Sequence, residues 1–233
     1  MTRRIISYTG WAIVLAASTY FIFHSALPYF AYQQSRFEAG GFWPNFAPWL
    51  IVHIIAGLTA LVLGPFQFIP SIRKKYPRTH RLMGKIYLCC IVVAAIASLE
   101  LSVVKLIIKE KAIIFGTGLF MLAMVWLLTS GMAYWSARSR NFVQHREWMV
   151  RSFVVTCAFT TFRLAQQTLT NQFGVDGGVA ADLMAWACWS VPLIVTEIVL
   201  QAGKIRKGNT ALANKKKQAI TVTPDLDTQT DLA

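Results

Sequence analysis

The sequence predicts an all-α integral membrane protein built as a bundle of six transmembrane helices. Two observations support this prediction. Of the 233 residues, 55% are hydrophobic and only 14% are charged, whereas a soluble domain carries about 25% charged residues. Apolar runs longer than about 18 residues recur along the chain, and such runs are long enough to cross a bilayer. The predicted spans cover residues 5–27, 47–69, 83–106, 113–135, 148–169 and 180–201.

The first span follows Arg3 and Arg4 and in this respect resembles a signal peptide. Its charge-free run continues to about residue 30, and no small-x-small cleavage site closes it. We therefore interpret it as an uncleaved first helix. Basic loops over 71–85 and 136–147 precede spans 3 and 5, and a glycine-containing link precedes span 6. Residues 1–201 are thus predicted to form the transmembrane domain.

The distribution of positive charge predicts the orientation. Eighteen of the 23 Lys and Arg residues lie near the N-terminus, in 71–85, in 138–151 and beyond residue 201. With six spans these segments share one side, which the positive-inside rule assigns to the cytoplasm together with both termini. Grouped in this way, the formal charge of +13 favours contact with anionic lipid headgroups and gives no support to nucleic-acid binding. Residues 202–233, which have few apolar side chains, are predicted to form a disordered basic cytoplasmic tail.

A short internal repeat links the two basic loops. The stretch from His80 to Tyr87 resembles the stretch from His145 to Phe153, with one residue inserted. Each stretch begins a helix that leaves the same side of the membrane. The sequence therefore also suggests two parallel helical-hairpin repeats, formed by spans 2–3 and spans 4–5.

The four histidines provide the strongest chemical signal. A helix rises about 1.5 Å per residue, which places two histidines in the outer half of the membrane and two at its cytoplasmic boundary. Two levels of paired imidazoles suit a cytochrome with two haem b groups, which would carry electrons from a quinol or another redox partner. Nearby arginines would hold the haem propionates. The predicted haem-binding residues are His24 and His53 at the outer level, and His80, His145, Arg81 and Arg146 at the inner level.

Two other interpretations use the inner histidines. Two imidazoles and one carboxylate can bind Zn²⁺ or Fe²⁺, so His80, His145 and Glu197 form a candidate metal site if the two basic loops meet. Alternatively, histidines at helix starts contact lipid phosphate. The protein would then be a structural or accessory membrane subunit without chemistry of its own.

A third interpretation concerns charged residues within the spans. Glu100, Arg163 and Asp182 all fall in the outer half of the membrane. Charges at that depth usually face the bundle interior and pair with one another, because an isolated charge there is costly. We therefore expect Arg163 to pair with Glu100 or Asp182. Such a cluster would either hold helices together or serve as the proton or substrate relay of a transporter.

The sequence does not assign an enzymatic reaction. Walker, GxSxG, HExxH and GxGxxG motifs are absent from it, so the enzyme classes that carry these motifs are not supported. The cysteines, Cys89, Cys90, Cys157 and Cys188, lie within predicted spans and form no CxxC pair. Free buried cysteines behave as small apolar residues, so no disulfide framework is expected.

A set of spaced motifs runs through most of the chain: His53-Ile-Ile-Ala-Gly57, Gly64-Pro65-Phe66-Gln67-Phe68, His80-Arg81-Leu-Met-Gly84, Trp126, His145-Arg146-Glu-Trp148-Met149-Val-Arg151-Ser and Arg163. The motifs cover about residues 47–200 and resemble the bacterial membrane proteins grouped as domain of unknown function 2306. This resemblance implies a multi-pass helical protein of the bacterial inner membrane and supplies no activity. A looser likeness to cytochrome b561-type bundles rests on paired histidines alone, and this sequence departs from it because two histidines start helices and one lies on span 1.

Overall fold

The computed structural model describes residues 2–40, 44–108 and 112–222, and within these ranges it contains helices and no strand. The predicted all-α class is therefore confirmed for this part of the chain. A π-helix and a 3₁₀-helix continue the first α-helix over Ile22–Ala26 and Leu27–Ala31. The α-helices are α1 Thr2–Phe21, α2 Gln34–Gly40, α3 Ala47–Gln67, α4 Pro70–Lys75, α5 Pro77–Ile108, α6 Ile113–Arg138, α7 Phe142–Thr156, α8 Ala158–Phe173 and α9 Gly177–Val222.

Five described segments are long and apolar enough to cross a membrane: Thr9–Ala31, Ala47–Gln67, Pro77–Val103, Ile113–Arg138 and Gly177–Asn214. They correspond to predicted spans 1, 2, 3, 4 and 6. Predicted span 5, over 148–169, differs because it is divided between α7 and α8 at Cys157. Its inward face is rich in serine and threonine, which gives it less apolar character than the other spans.

The two basic loops are shorter than predicted. Within 71–85 the chain forms α4, and α5 begins at Pro77, six residues before the predicted start. Proline favours the first turn of a helix, where its missing N–H is not needed. In the second loop the side chain of Asn141 accepts a hydrogen bond from Gln144 N and caps α7. Most residues predicted as loop therefore lie in helical turns.

The chain divides into two compact units, Met1–Leu193 and Ile194–Ala233. In the second unit, α9 continues to Val222, whereas the sequence predicted a disordered tail from residue 202. This prediction is corrected over 202–222, where Lys and Ala are the most frequent residues and both favour a helix. Residues 223–233 lie outside the described part of the chain.

In the first unit, α3 and α5 form an antiparallel hairpin. His53, near the start of α3, contacts Ala94 in the second half of α5. At the other end, Gln67 lies beside Gly84. We call this end, where α3 ends and α5 begins, the basic end of the bundle.

A second antiparallel hairpin is formed by α6 and α7. Trp126 contacts Thr156 in the middle of the bundle, and Ala133 contacts His145 near the basic end. The start of α7 therefore lies at the same end as the start of α5. Consequently α5 and α7 run in the same direction, and the side chain of Tyr87 on α5 reaches Ser152 on α7.

Small residues allow the helices to approach closely. Ala60 and Ala94 are fully buried, and a Cβ atom added at Gly64 would overlap the ring of Phe153 on α7. In membranes, small residues at such positions favour helix–helix packing. The face of α3 that carries His53 and Gly64 therefore points into the bundle.

Candidate functional site

The first unit encloses a cavity of about 430 Å³. Its volume lies in the range of about 300–1,000 Å³ that is typical of sites for organic ligands. Aromatic and aliphatic side chains form most of its wall, with a few polar groups among them. The polar residues that line it include Ser25, His53, Ser98, Thr156, Thr160, Arg163 and Gln166.

His53 is the best-oriented polar group of this cavity. Its Nδ1 lies 2.8 Å from the carbonyl oxygen of Ala94, and its ring meets Phe159 edge-on at 5.8 Å. A carbonyl oxygen can only accept a hydrogen bond, so Nδ1 must carry the hydrogen. In the neutral ring, Nε2 then holds the lone pair. Histidines that bind metals commonly show this arrangement, with the second ring nitrogen donating to a backbone carbonyl.

Arg163 on α8 also lines the cavity. Its guanidinium carbon lies 5.7 Å from the centre of the Phe162 ring. The predicted ion pair is wrong, since Arg163 is bonded to neither Glu100 nor Asp182. The reason is orientation, because α8 directs Arg163 to the cavity wall while Glu100 is exposed on α5. Asp182, half-buried near the start of α9, remains apart from both.

His24 lies outside the cavity wall. It is exposed, its ring stacks on Tyr20 at 4.2 Å, and its Nδ1 lies 3.2 Å from the Tyr20 carbonyl oxygen. The next residues, Ser25 and Ala26, line the cavity instead. The structure therefore does not place His24 opposite His53, as paired axial ligation would require.

His80 and His145 both lie at the basic end, in the first turns of α5 and α7. The Nδ1 atom of His145 lies 2.8 Å from the carbonyl oxygen of Ala133, so this ring has the same tautomer as His53. Nδ1 of His80 is buried without a hydrogen-bond partner among the described residues. Arg81 and Arg146, predicted to act beside them, are exposed.

The third residue of the candidate metal site belongs to the other compact unit. Glu197 lies on the part of α9 in the second unit, where its Oε1 accepts a hydrogen bond from Gln201 Nε2. Over the described ranges, no three His, Cys, Asp or Glu side chains are grouped so that they could hold a metal ion. Metal binding by His80, His145 and Glu197 stays a prediction.

A buried hydroxyl chain begins at the cavity and was not predicted from the sequence. The hydroxyl of Tyr87 lies 2.9 Å from Thr156 Oγ1 and 3.0 Å from Ser152 Oγ, which in turn lies 2.8 Å from Ser130 Oγ. Spacing in the sequence contained a signal for part of it. Tyr87 and Ser152 each follow a histidine by seven residues, or about two helical turns, on the parallel helices α5 and α7.

The helices that form the cavity and the hydroxyl chain lie mostly within a region that matches a protein family. The family model described as "Predicted membrane protein (DUF2306)" matches residues 50–200, from α3 into α9. The chain belongs to this family. The DUF2306 region includes His53, Arg163 and most of the cavity wall, and the resemblance inferred from the spaced motifs is confirmed. Comparison with curated proteins and with solved structures found no match.

Proposed function

We propose that this DUF2306 protein binds haem b in the cavity and transfers electrons within the membrane. The observation that carries the proposal is the orientation of His53, whose Nδ1–H is held by Ala94 and whose Nε2 is available at the cavity wall. Haem would supply a one-electron carrier at this place, and its iron requires an axial ligand such as a neutral imidazole.

The composition of the cavity supports this assignment. Trp126, Phe115 and Phe162 provide flat apolar surface, as a macrocycle requires. Gly57 lines the same wall and has open space where a Cβ would lie. Arg163 forms no ion pair within the described residues, so its charge is available for a propionate. A cation at the edge of an apolar pocket gains most from such a partner because desolvation strengthens the attraction.

The geometry modifies the ligand set expected from the sequence. Since His24 is exposed and stacked on Tyr20, His53 is the histidine that would hold a haem in this cavity. The pair of His80 and His145 stays a second proposed level at the basic end. There, His145 has the same carbonyl-bound Nδ1 as His53.

We also propose an arrangement in the membrane that adds to the five candidate spans found among the described residues. We propose that α7 and α8 together form the sixth span, that the two antiparallel hairpins are repeats, and that both termini face the cytoplasm of a bacterium. In this proposal, anionic lipid headgroups contact the basic end and a quinol donates the electrons. The alternative is a transporter in which Arg163 binds an anionic substrate in the same cavity, without a haem.

A reduced-minus-oxidised spectrum of the purified protein tests haem binding directly. With haem b supplied during expression, we expect a Soret band and an α band. His53→Ala should remove the part of these bands that arises from haem in the cavity. Carbon monoxide should shift the reduced spectrum, because His53 is the one histidine among the described residues that line the cavity. His24→Ala is the matched control and should retain the cavity haem. If the wild-type protein shows no haem bands after supplementation, the proposal is refuted and the transporter alternative is favoured.

A further inference from the structure

The hydroxyl chain that starts at the cavity has a defined direction. Thr156 Oγ1 has three neighbours: the Ser152 carbonyl at 2.8 Å, Trp126 Nε1 at 3.0 Å and the Tyr87 hydroxyl at 2.9 Å. An indole N–H can only donate and a carbonyl can only accept. Thr156 therefore donates to the carbonyl, and Tyr87 must donate its single hydrogen to Thr156.

The direction of the remaining bonds follows from this assignment. Because the hydrogen of Tyr87 is directed to Thr156, the phenol oxygen accepts from Ser152 Oγ at 3.0 Å. Ser152 Oγ in turn accepts from Ser130 Oγ at 2.8 Å. Donation thus runs from Ser130 through Ser152 and Tyr87 to Thr156. The hydrogens of Ser130, Ser152 and Tyr87 therefore all point along the chain toward Thr156, whose own hydrogen is held by the Ser152 carbonyl.

The two ends of the chain differ in their surroundings. Thr156 lines the cavity, as does Thr160 one turn later, whose buried Oγ1 has no partner among the described residues. At the other end, Ser130 is 4% exposed, and Ala133, one turn later on α6, contacts His145 at the basic end. Near the middle of the chain, Gln67 is 6% exposed and its Nε2 is buried without a described partner. It lies beside Gly84, one turn before Tyr87 on α5. Buried polar groups without protein partners are commonly satisfied by internal water.

We propose that this hydroxyl chain conducts protons between the basic end of the bundle and the cavity. A proton that arrives at Ser130 forms a new O–H bond there, and each hydroxyl passes its own hydrogen to the next oxygen. Thr156 accepts the hydrogen of Tyr87, and its own hydrogen turns away from the Ser152 carbonyl and leaves into the cavity as a proton, so the number of O–H bonds in the chain is unchanged. Rotation of the four hydroxyls then restores the starting direction. The relay needs the cavity but not a haem in it, so it goes beyond the function proposed above.

Proton flux into vesicles tests the relay. The full-length protein is reconstituted in liposomes that contain pyranine, a pH-sensitive dye, and a potassium gradient with valinomycin supplies the driving force. We expect wild-type vesicles to change their internal pH faster than protein-free vesicles. Tyr87→Phe keeps the ring and removes the central hydroxyl. It should slow the flux by about tenfold, which corresponds to about 1.4 kcal/mol of barrier.

The matched control is Tyr134→Phe, because Tyr134 is exposed on α6 and its hydroxyl has no place in the chain. This variant should conduct as the wild type does. If Tyr87→Phe does not elute as a folded protein in size-exclusion chromatography, Ser130→Ala decides, and it should cause a similar loss. Equal rates in the wild type and in the deciding variant overturn the relay, as does a wild-type rate no faster than protein-free vesicles. Haem spectra of the same samples show separately whether the proposed function holds.

Discussion

Replacement of Gly118 by alanine should destabilise the protein through a single steric contact. Gly118 is buried on α6, and a Cβ atom built there would lie 2.9 Å from the carbonyl carbon, the carbonyl oxygen and the Cβ of Ala185 on α9. Two of these three atoms belong to the backbone, so no side-chain rotation can relieve the overlap. One helix must therefore move away from the other.

The magnitude follows from comparison with Gly131→Ala on the same helix. At Gly131 an added Cβ meets nothing within 4 Å. Both substitutions gain the same intrinsic helix propensity, about 1 kcal/mol, and this gain cancels when the two variants are compared. What remains is the cost of overpacking, about 1–3 kcal/mol. For a domain of this size that cost lowers Tm by roughly 2–12 °C relative to Gly131→Ala.

Thermal unfolding of both variants in the same detergent measures this difference, with loss of the monodisperse size-exclusion peak as the signal. We expect Gly131→Ala to unfold at or above the wild-type temperature and Gly118→Ala clearly below it. If the two variants unfold at the same temperature, the close approach of α6 and α9 at Gly118 is not present in the folded protein.

Two further predictions concern the cavity and the sixth span. Arg163→Leu should weaken haem retention, seen as loss of the Soret band on dilution. Arg138→Leu, which changes an exposed residue at the end of α6, is the control and should retain haem as the wild type does. Equal retention in the two variants would show that Arg163 does not bind the haem. A topology reporter inserted after Gly174 should be on the opposite side of the membrane from one inserted after Lys75. Three proposed spans lie between these positions, namely α5, α6, and α7 together with α8. Reporters on the same side would remove the sixth span from the proposal.

The helix positions were largely predictable from the sequence, because a long apolar run can satisfy its backbone in a bilayer only as a helix. Spans 2 and 4 begin at the predicted residues, 47 and 113. The break at Cys157 was not predictable in the same way. Its amide contacts the carbonyl oxygens of both Phe153 and Val154, a local irregularity that hydropathy does not record.

The depth of the site residues along their helices was predictable from the sequence. The direction in which each side chain leaves its helix was not. Depth placed His24 and His53 at one level, yet only His53 faces the cavity. The π-helix over Ile22–Ala26 changes the rotation of α1 just where His24 lies, and a regular 3.6-residue period cannot anticipate this change. Which helices become neighbours is also a tertiary property, so the partners of Tyr87 could not be read from the sequence.

The hydrogen bond between His53 and Ala94 couples the alignment of α3 with α5 to the tautomer of His53. In a regular helix the Ala94 carbonyl accepts from the amide of Ser98, a residue that lines the cavity, and here it also accepts from the imidazole. Sliding α3 along α5 by one turn would remove that second bond and release the ring to adopt either tautomer. The alignment of the α3–α5 hairpin therefore sets which nitrogen His53 offers to a ligand, and a ligand held by Nε2 would in turn resist any such slide.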